Sequence, residues 1–181
     1  WGSGLGFNYA AQNEDNVKAI AFMEALTRPF ETWDSMGENE QQFLKGVRTE
    51  GVGEEMILEK NVFVEQFLPS SVVTRELSKE ELAAYREPFP TPASRMPILV
   101  WPREIPVEGE PAAVHEIISN YYSWLQKSEV PKLMLTVEPG AIITATVARE
   151  LENLLPNLIT VHLGPGHHFI QEDHPHAIGE A

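Results

Sequence analysis

Two short apolar runs in the final third of the chain constrain its fold more than any other feature. Lys132–Val137 and Leu158–Leu163 each read as a buried strand. Between them lie Pro139-Gly140 and a helical pattern with Val147, Leu151, Leu154 and Leu155 on one side, stopped by Pro156. Strands joined through a helix run parallel, because the crossover returns the chain to the same end of the sheet. Such a sheet needs helices on its faces. A helix opening at Pro111 supplies one, with Val114, Ile117, Ile118, Tyr121 and Leu125 forming its apolar face. Near the start, a turn leads into a helix over WGSGLGFNYAAQ, with Leu5 and Tyr9 at helical spacing and Asn13, Asp15 and Asn16 as breakers. Val17–Met23 then reads as a third buried strand ending at Glu24. The expected fold class is α/β.

Residues between about Thr27 and Gly109 have a different texture. Short helical patterns such as Phe43, Leu44 and Val47 dominate, and Ser78-x-x-Glu81 ahead of Leu82 is a capping box. Seven prolines between Pro88 and Pro111 predict an extended return path with no regular helix or central strand. The chain therefore divides into a first core part over residues 1–27, a mostly helical insertion over 28–109, and a second core part over 110–181.

Composition removes several function classes. With 13 basic and 27 acidic side chains the formal charge is −14, so no general attraction to nucleic-acid phosphates is expected. Cysteine is absent, which excludes disulfide scaffolds, thiolate metal sites and cysteine nucleophiles. The longest uncharged stretch, Leu154–Gln171, contains prolines, glycines and histidines unsuited to a lipid-facing helix, and no signal-peptide pattern opens the chain. No membrane partner and a cytoplasmic location are the expectations.

In open parallel sheets, ligands bind beyond the carboxyl ends of the strands. The opening turn, Glu24 and the loop Gly164-Pro165-Gly166-His167-His168 are all placed there. A carboxylate after one strand and a histidine after a later one form the acid–histidine half of a catalytic triad, in the chain order of the α/β-hydrolases. Alternatively, Glu24 caps a helix or pairs with Arg28, and His168 is a loop histidine without a role. The nucleophile is missing: no Gly-x-Ser-x-Gly occurs, and Ser3 has Trp1 where an elbow needs a small residue. Trp1-Gly2 instead resembles the downstream half of an elbow, which puts the expected nucleophile immediately before Trp1.

Taken together, WGSGLGF at 1–7, AFMEAL at 21–26, NVFVEQFLP at 61–69, AYREPFPTPASR at 84–95, WPREIPVEGEP at 101–111, PKLMLTVEPG at 131–140 and GPGHHFIQEDHPHAIG at 164–179 resemble the haloalkane dehalogenases of the α/β-hydrolase superfamily. The resemblance implies a mostly parallel sheet with a helical cap over 28–109, in a chain lacking the early strands. It implies an aspartate nucleophile directly before Trp1, Glu24 as catalytic acid and His168 as base, with His167 where relatives carry an apolar residue. Trp1 is implied as a halide-binding residue, a role an indole N–H suits as a donor-only group. Phe43, Phe63 and Pro102 are implied around the halide and alkyl pocket, and Ala141 and Ile142 near the tunnel wall. A second halide-binding side chain, usually asparagine, lies upstream in the family.

The implied reaction is displacement of halide by the carboxylate, giving an alkyl ester that water, deprotonated by His168, hydrolyses. The implied partners are a small apolar halogenated substrate, the halide ion and an upstream segment of the same protein; no cofactor or metal is implied. The 181-residue piece alone is expected to be inactive.

Several rivals stand beside this reading. Gly2-x-Gly4-x-Gly6 lacks the spacing and preceding strand of a dinucleotide loop. His167, His168, Glu172, Asp173, His174 and His176 cluster without a strong metal-ligand spacing. Renilla-type luciferases, which are coelenterazine monooxygenases, are similar at WPREIP and at the Trp1, Glu24 and His168 positions, but look aromatic where Ala141-Ile142-Ile143 stand. Epoxide hydrolases use cap tyrosines, and Tyr85 is the only one in this region. A binding protein that keeps the pocket without catalysis is the remaining alternative.

Overall fold

A computed structural model describes residues 1–181. Its centre is a three-stranded parallel sheet in the order β1 (Ile20–Met23), β2 (Lys132–Pro139), β3 (Leu158–Gly166). β2 lies between the other two strands, which fits its apolar run. The expected strands are all present, although β1 begins three residues later than Val17 and β2 and β3 each run further.

Alternation along β2 divides the two faces. Met134 points into a core with Phe7, Phe22, Tyr121, Leu125, Leu151 and Leu155, whereas Leu135 and Val137 pack with Ile170 on the opposite side. The first face is covered by the helices Gly2–Gln12, Ala112–Leu125 and Ala145–Leu154. Some expected helix faces turn out differently. Leu5 and Tyr9 are exposed while Gly4, Phe7 and Ala10 are buried, and Ile117 and Leu154 also face outward. Ile118, Leu151 and Ala148 take the inward positions, because an apolar stripe wider than the contact leaves its margin in solvent. Lys132 opens β2 with its ammonium buried, donating to the carbonyls of Ser128 (2.7 Å), Val130 (2.9 Å) and Pro156 (3.1 Å).

The stretch 28–109 leaves and rejoins the core at adjacent points. Phe30 bridges Val107, and the Glu108 N–H donates to the Phe30 carbonyl at 3.0 Å. Inside it, Val47, Ile57, Val64, Ile98 and Leu99 form a separate small core. The predicted capping box is present: the Glu81 N–H donates to Ser78 Oγ, and the Ser78 N–H returns to Glu81 Oε2. The proline-rich return path is not wholly extended, however, for Met96–Arg103 is helical. Pro97 falls in the first turn, where no N–H is needed, and Pro102 falls in the last. Two wide π turns, Glu55–Glu59 and Phe63–Phe67, were also not anticipated. No helix is long and apolar enough to cross a membrane.

Candidate active site

Glu24, the loop after β2 and His168 meet at the carboxyl end of the sheet because each follows one of three adjacent parallel strands. At Glu24 the chain turns abruptly, with φ +42°, in the left-handed region that a non-glycine residue occupies at a cost of about 1–2 kcal/mol. The turn aims its carboxylate under the β2 loop. There Glu24 Oε2 accepts from the N–H groups of Ala141 (3.0 Å) and Ile142 (2.8 Å), and Oε1 accepts from that of Ile143 (3.2 Å). The side chain is almost wholly buried, and three backbone donors compensate its charge. Arg28 is elsewhere, paired with Glu150 at 2.6 Å.

This nest depends on Gly140, which has φ +68° and carries no side chain. A Cβ there would lie 2.5 Å from the Ile143 carbonyl oxygen and 3.1 Å from Glu24 Oε1. The amides of residues 141–143 therefore hold the acid. Nothing in their side-chain types signals that role, because backbone N–H groups carry it.

His168 Nδ1 stands 3.3 Å from Glu24 Oε2, so an Nδ1–H can donate to the carboxylate and leave Nε2 facing outward as an acceptor. Its ring lies edge-on to Phe169, with centroids 5.1 Å apart. Phe169 in turn meets Phe63 and Phe67 edge-on, and Phe43 and Phe67 stack at 4.6 Å. Phe43 and Phe63 are thus brought together and linked through Phe169 to His168. Phe67 and Phe169 belong to the same aromatic wall and escaped the sequence reading, although both sit inside the motifs NVFVEQFLP and GPGHHFIQ.

His167 Nε2 lies 3.5 Å from Glu40 Oε1, and its Nδ1 is buried without a hydrogen-bond partner. Pro102 is buried in the Met96–Arg103 helix. Next to it, the Trp101 carbonyl accepts the Trp1 indole N–H at 3.0 Å, and the two indoles meet edge-on. The Trp1 donor is therefore occupied in this arrangement. Three further members of the histidine-rich cluster are engaged by protein groups: Glu172 by Arg75 and Tyr85, Asp173 by Val73 and Thr74, and His174 by the Pro165 carbonyl.

A parallel sheet with a buried acid and a histidine at the carboxyl ends of two strands that flank a third defines a class, and the chain belongs to the α/β hydrolase fold family, whose model matches residues 1–175. Among individual proteins, it is 47% identical to a haloalkane dehalogenase of Mesorhizobium japonicum and 43% identical to one of Bradyrhizobium diazoefficiens, each match covering the whole of this chain. It also superimposes on the crystal structure of the haloalkane dehalogenase DbeA from Bradyrhizobium elkani with a TM-score of 0.96, at 44% identity over 99% of this chain and 62% of that one. The chain spans 59% and 61% of the length of the two curated relatives.

Proposed function

We propose that this chain forms part of a hydrolase that converts haloalkanes to alcohol and halide through an alkyl-enzyme ester. The observation that carries the reading is the Glu24–His168 pair, 3.3 Å apart across the end of β2, which separates their two strands, and joined through Phe169 to an aromatic wall. The sequence likeness to haloalkane dehalogenases supports it over a luciferase or a non-catalytic binding role.

On this reading, the attacking carboxylate belongs to an aspartate directly before Trp1, in a preceding segment that adds strands to the sheet. Residues 28–109 act as the cap, a role supported by their closed excursion between Phe30 and Val107. Phe43, Phe63 and Pro102 border the substrate pocket and Ala141 and Ile142 its tunnel, since a haloalkane offers no donors and gains most from apolar walls. Trp1 binds the departing halide once its indole turns from the Trp101 carbonyl. His168 then takes a proton from water as that water attacks the ester, and Glu24 holds the imidazole and stabilises its charged form. No cofactor or metal takes part. We place the reaction in the cytoplasm, which cell fractionation tests.

The direct assay is halide release from a bromoalkane by the intact protein. Turnover that depends on His168 is expected. Light emission from coelenterazine without halide release would favour the luciferase reading instead.

A further inference from the structure

The segment carrying His168 is fastened on three sides. Toward the sheet, Ile170 is fully buried against Leu135 and Val137. Toward its own beginning, the His174 Nε2–H donates to the Pro165 carbonyl at 2.6 Å and the His174 backbone N–H donates to Ile170 O at 2.8 Å, so residues 165–174 close on themselves.

The third side faces the insertion. Asp173 Oδ1 accepts three hydrogen bonds, from the Val73 N–H (3.0 Å), the Thr74 N–H (2.8 Å) and the Thr74 hydroxyl (2.7 Å). The Phe169 N–H donates to the Ser71 carbonyl at 3.4 Å, and Glu172 holds the Arg75 guanidinium at 2.6 Å. The exposed ion pair adds little by itself. The bonds to Asp173 differ, because two of their donors are backbone N–H groups with fixed directions and the acceptor is charged. They tie residues 73 and 74 to the single turn that follows His168.

We infer that Asp173 is a positioning residue: by pinning the 71–75 strap to this turn, it holds the His168 imidazole against Glu24. The inference rests on the reading of His168 as the base, yet it also has a consequence independent of turnover. Asparagine offers an oxygen at the Oδ1 position, where all three short bonds converge, whereas alanine offers nothing.

The experiment follows the carbon-bound ring-proton resonances of His168, assigned by their loss in His168→Gln, together with haloalkane turnover by the intact protein. Asp173→Ala should displace or split the His168 resonances. Because misplacing a catalytic group by about an ångström costs on the order of a hundredfold, and because His168 acts only on the alkyl ester, kcat should fall about 10- to 100-fold with KM falling alongside it, so that kcat/KM stays within about twofold. Asp173→Asn should restore both readouts. If Asp173→Ala does not fold, Thr74→Val removes only the hydroxyl bond and should move the same resonances by a smaller amount.

Unmoved resonances in a folded Asp173→Ala protein, or an Asn variant as impaired as the Ala variant, would overturn the inference. If the unchanged protein releases no halide but Asp173→Ala still moves the His168 resonances, the dehalogenase reading fails and the positioning role stands. If the unchanged protein turns over and the resonances do not move, the positioning role alone fails.

Discussion

Replacing Glu24 by glutamine probes the part of the site on which the rest depends. Glutamine keeps the shape of the side chain but exchanges one carboxylate oxygen for an amide nitrogen. With its oxygen placed toward Ala141 and Ile142, the new NH2 faces the Ile143 N–H, now at 3.2 Å from the replaced atom, and that buried donor loses its acceptor. Leaving a buried donor unsatisfied costs about 1–3 kcal/mol, and turning two charge-assisted bonds into neutral ones costs about 1 kcal/mol each, for a total of about 3–5 kcal/mol. Flipping the amide does not help, since the NH2 then faces two donors. At a urea dependence of about 1–3 kcal/mol per molar, the loss should lower the unfolding midpoint by about 1–5 M. Equilibrium urea unfolding followed by circular dichroism is the assay. A Glu24→Gln midpoint within about 0.3 M of the parent, on the same scale of urea dependence, would refute the claim that the amide nest and the charge of Glu24 are mutually dependent.

Other perturbations test separate parts of the account. Gly140→Ala should be destabilising beyond the roughly 1–2 kcal/mol of a left-handed L-residue, because its Cβ meets the Ile143 carbonyl; a parental melting temperature would contradict the close approach. Phe67→Ala should open the wall between Phe43 and Phe63 and shift relative kcat/KM toward bulkier haloalkanes, whereas an unchanged substrate profile would place the pocket elsewhere. Burial and the nearby Glu172 carboxylate push the Tyr85 phenol up to about 12. Since the folded value lies above the unfolded value near 10, Tyr85's contribution to stability is intact below pH 10 and is lost as pH rises toward 12. The difference in phenolate absorbance between the parent and Tyr85→Phe should therefore titrate near 12, and a midpoint near 10 would show that the contact does not persist in solution.

Much of this arrangement was legible in the residues, because side-chain pattern determines the parts concerned. Apolar runs bounded by turn formers marked β2 and β3, and Ser78-x-x-Glu81 marked a helix start through its own reciprocal hydrogen bonds. The strand-end positions of Glu24 and His168 followed from the parallel crossover. What escaped lies mostly in the backbone or in long-range contacts. The nest at 141–143 is built from amides, for which residue type is nearly silent except at Gly140. The Met96–Arg103 helix absorbs Pro97 and Pro102 at its two ends, where composition alone suggested none could form. The strap from Asp173 to Thr74 joins residues far apart in the chain, and nothing in the histidine-rich, acidic stretch around Asp173 points to that partner. Of the aromatic wall, Phe67 and Phe169 became apparent only when the wide Phe63–Phe67 turn and the His168 loop were seen to face each other.

The central claim is that His168, held by Glu24, activates the water that releases an alkyl group from a carboxylate ester. The most direct test is the intact mass of the His168→Gln protein after exposure to a bromoalkane. The account predicts one bromide released per molecule and a stable increase in mass equal to one alkyl group replacing a proton, with no such adduct accumulating on the unchanged protein. Continued turnover by His168→Gln without an adduct would contradict it.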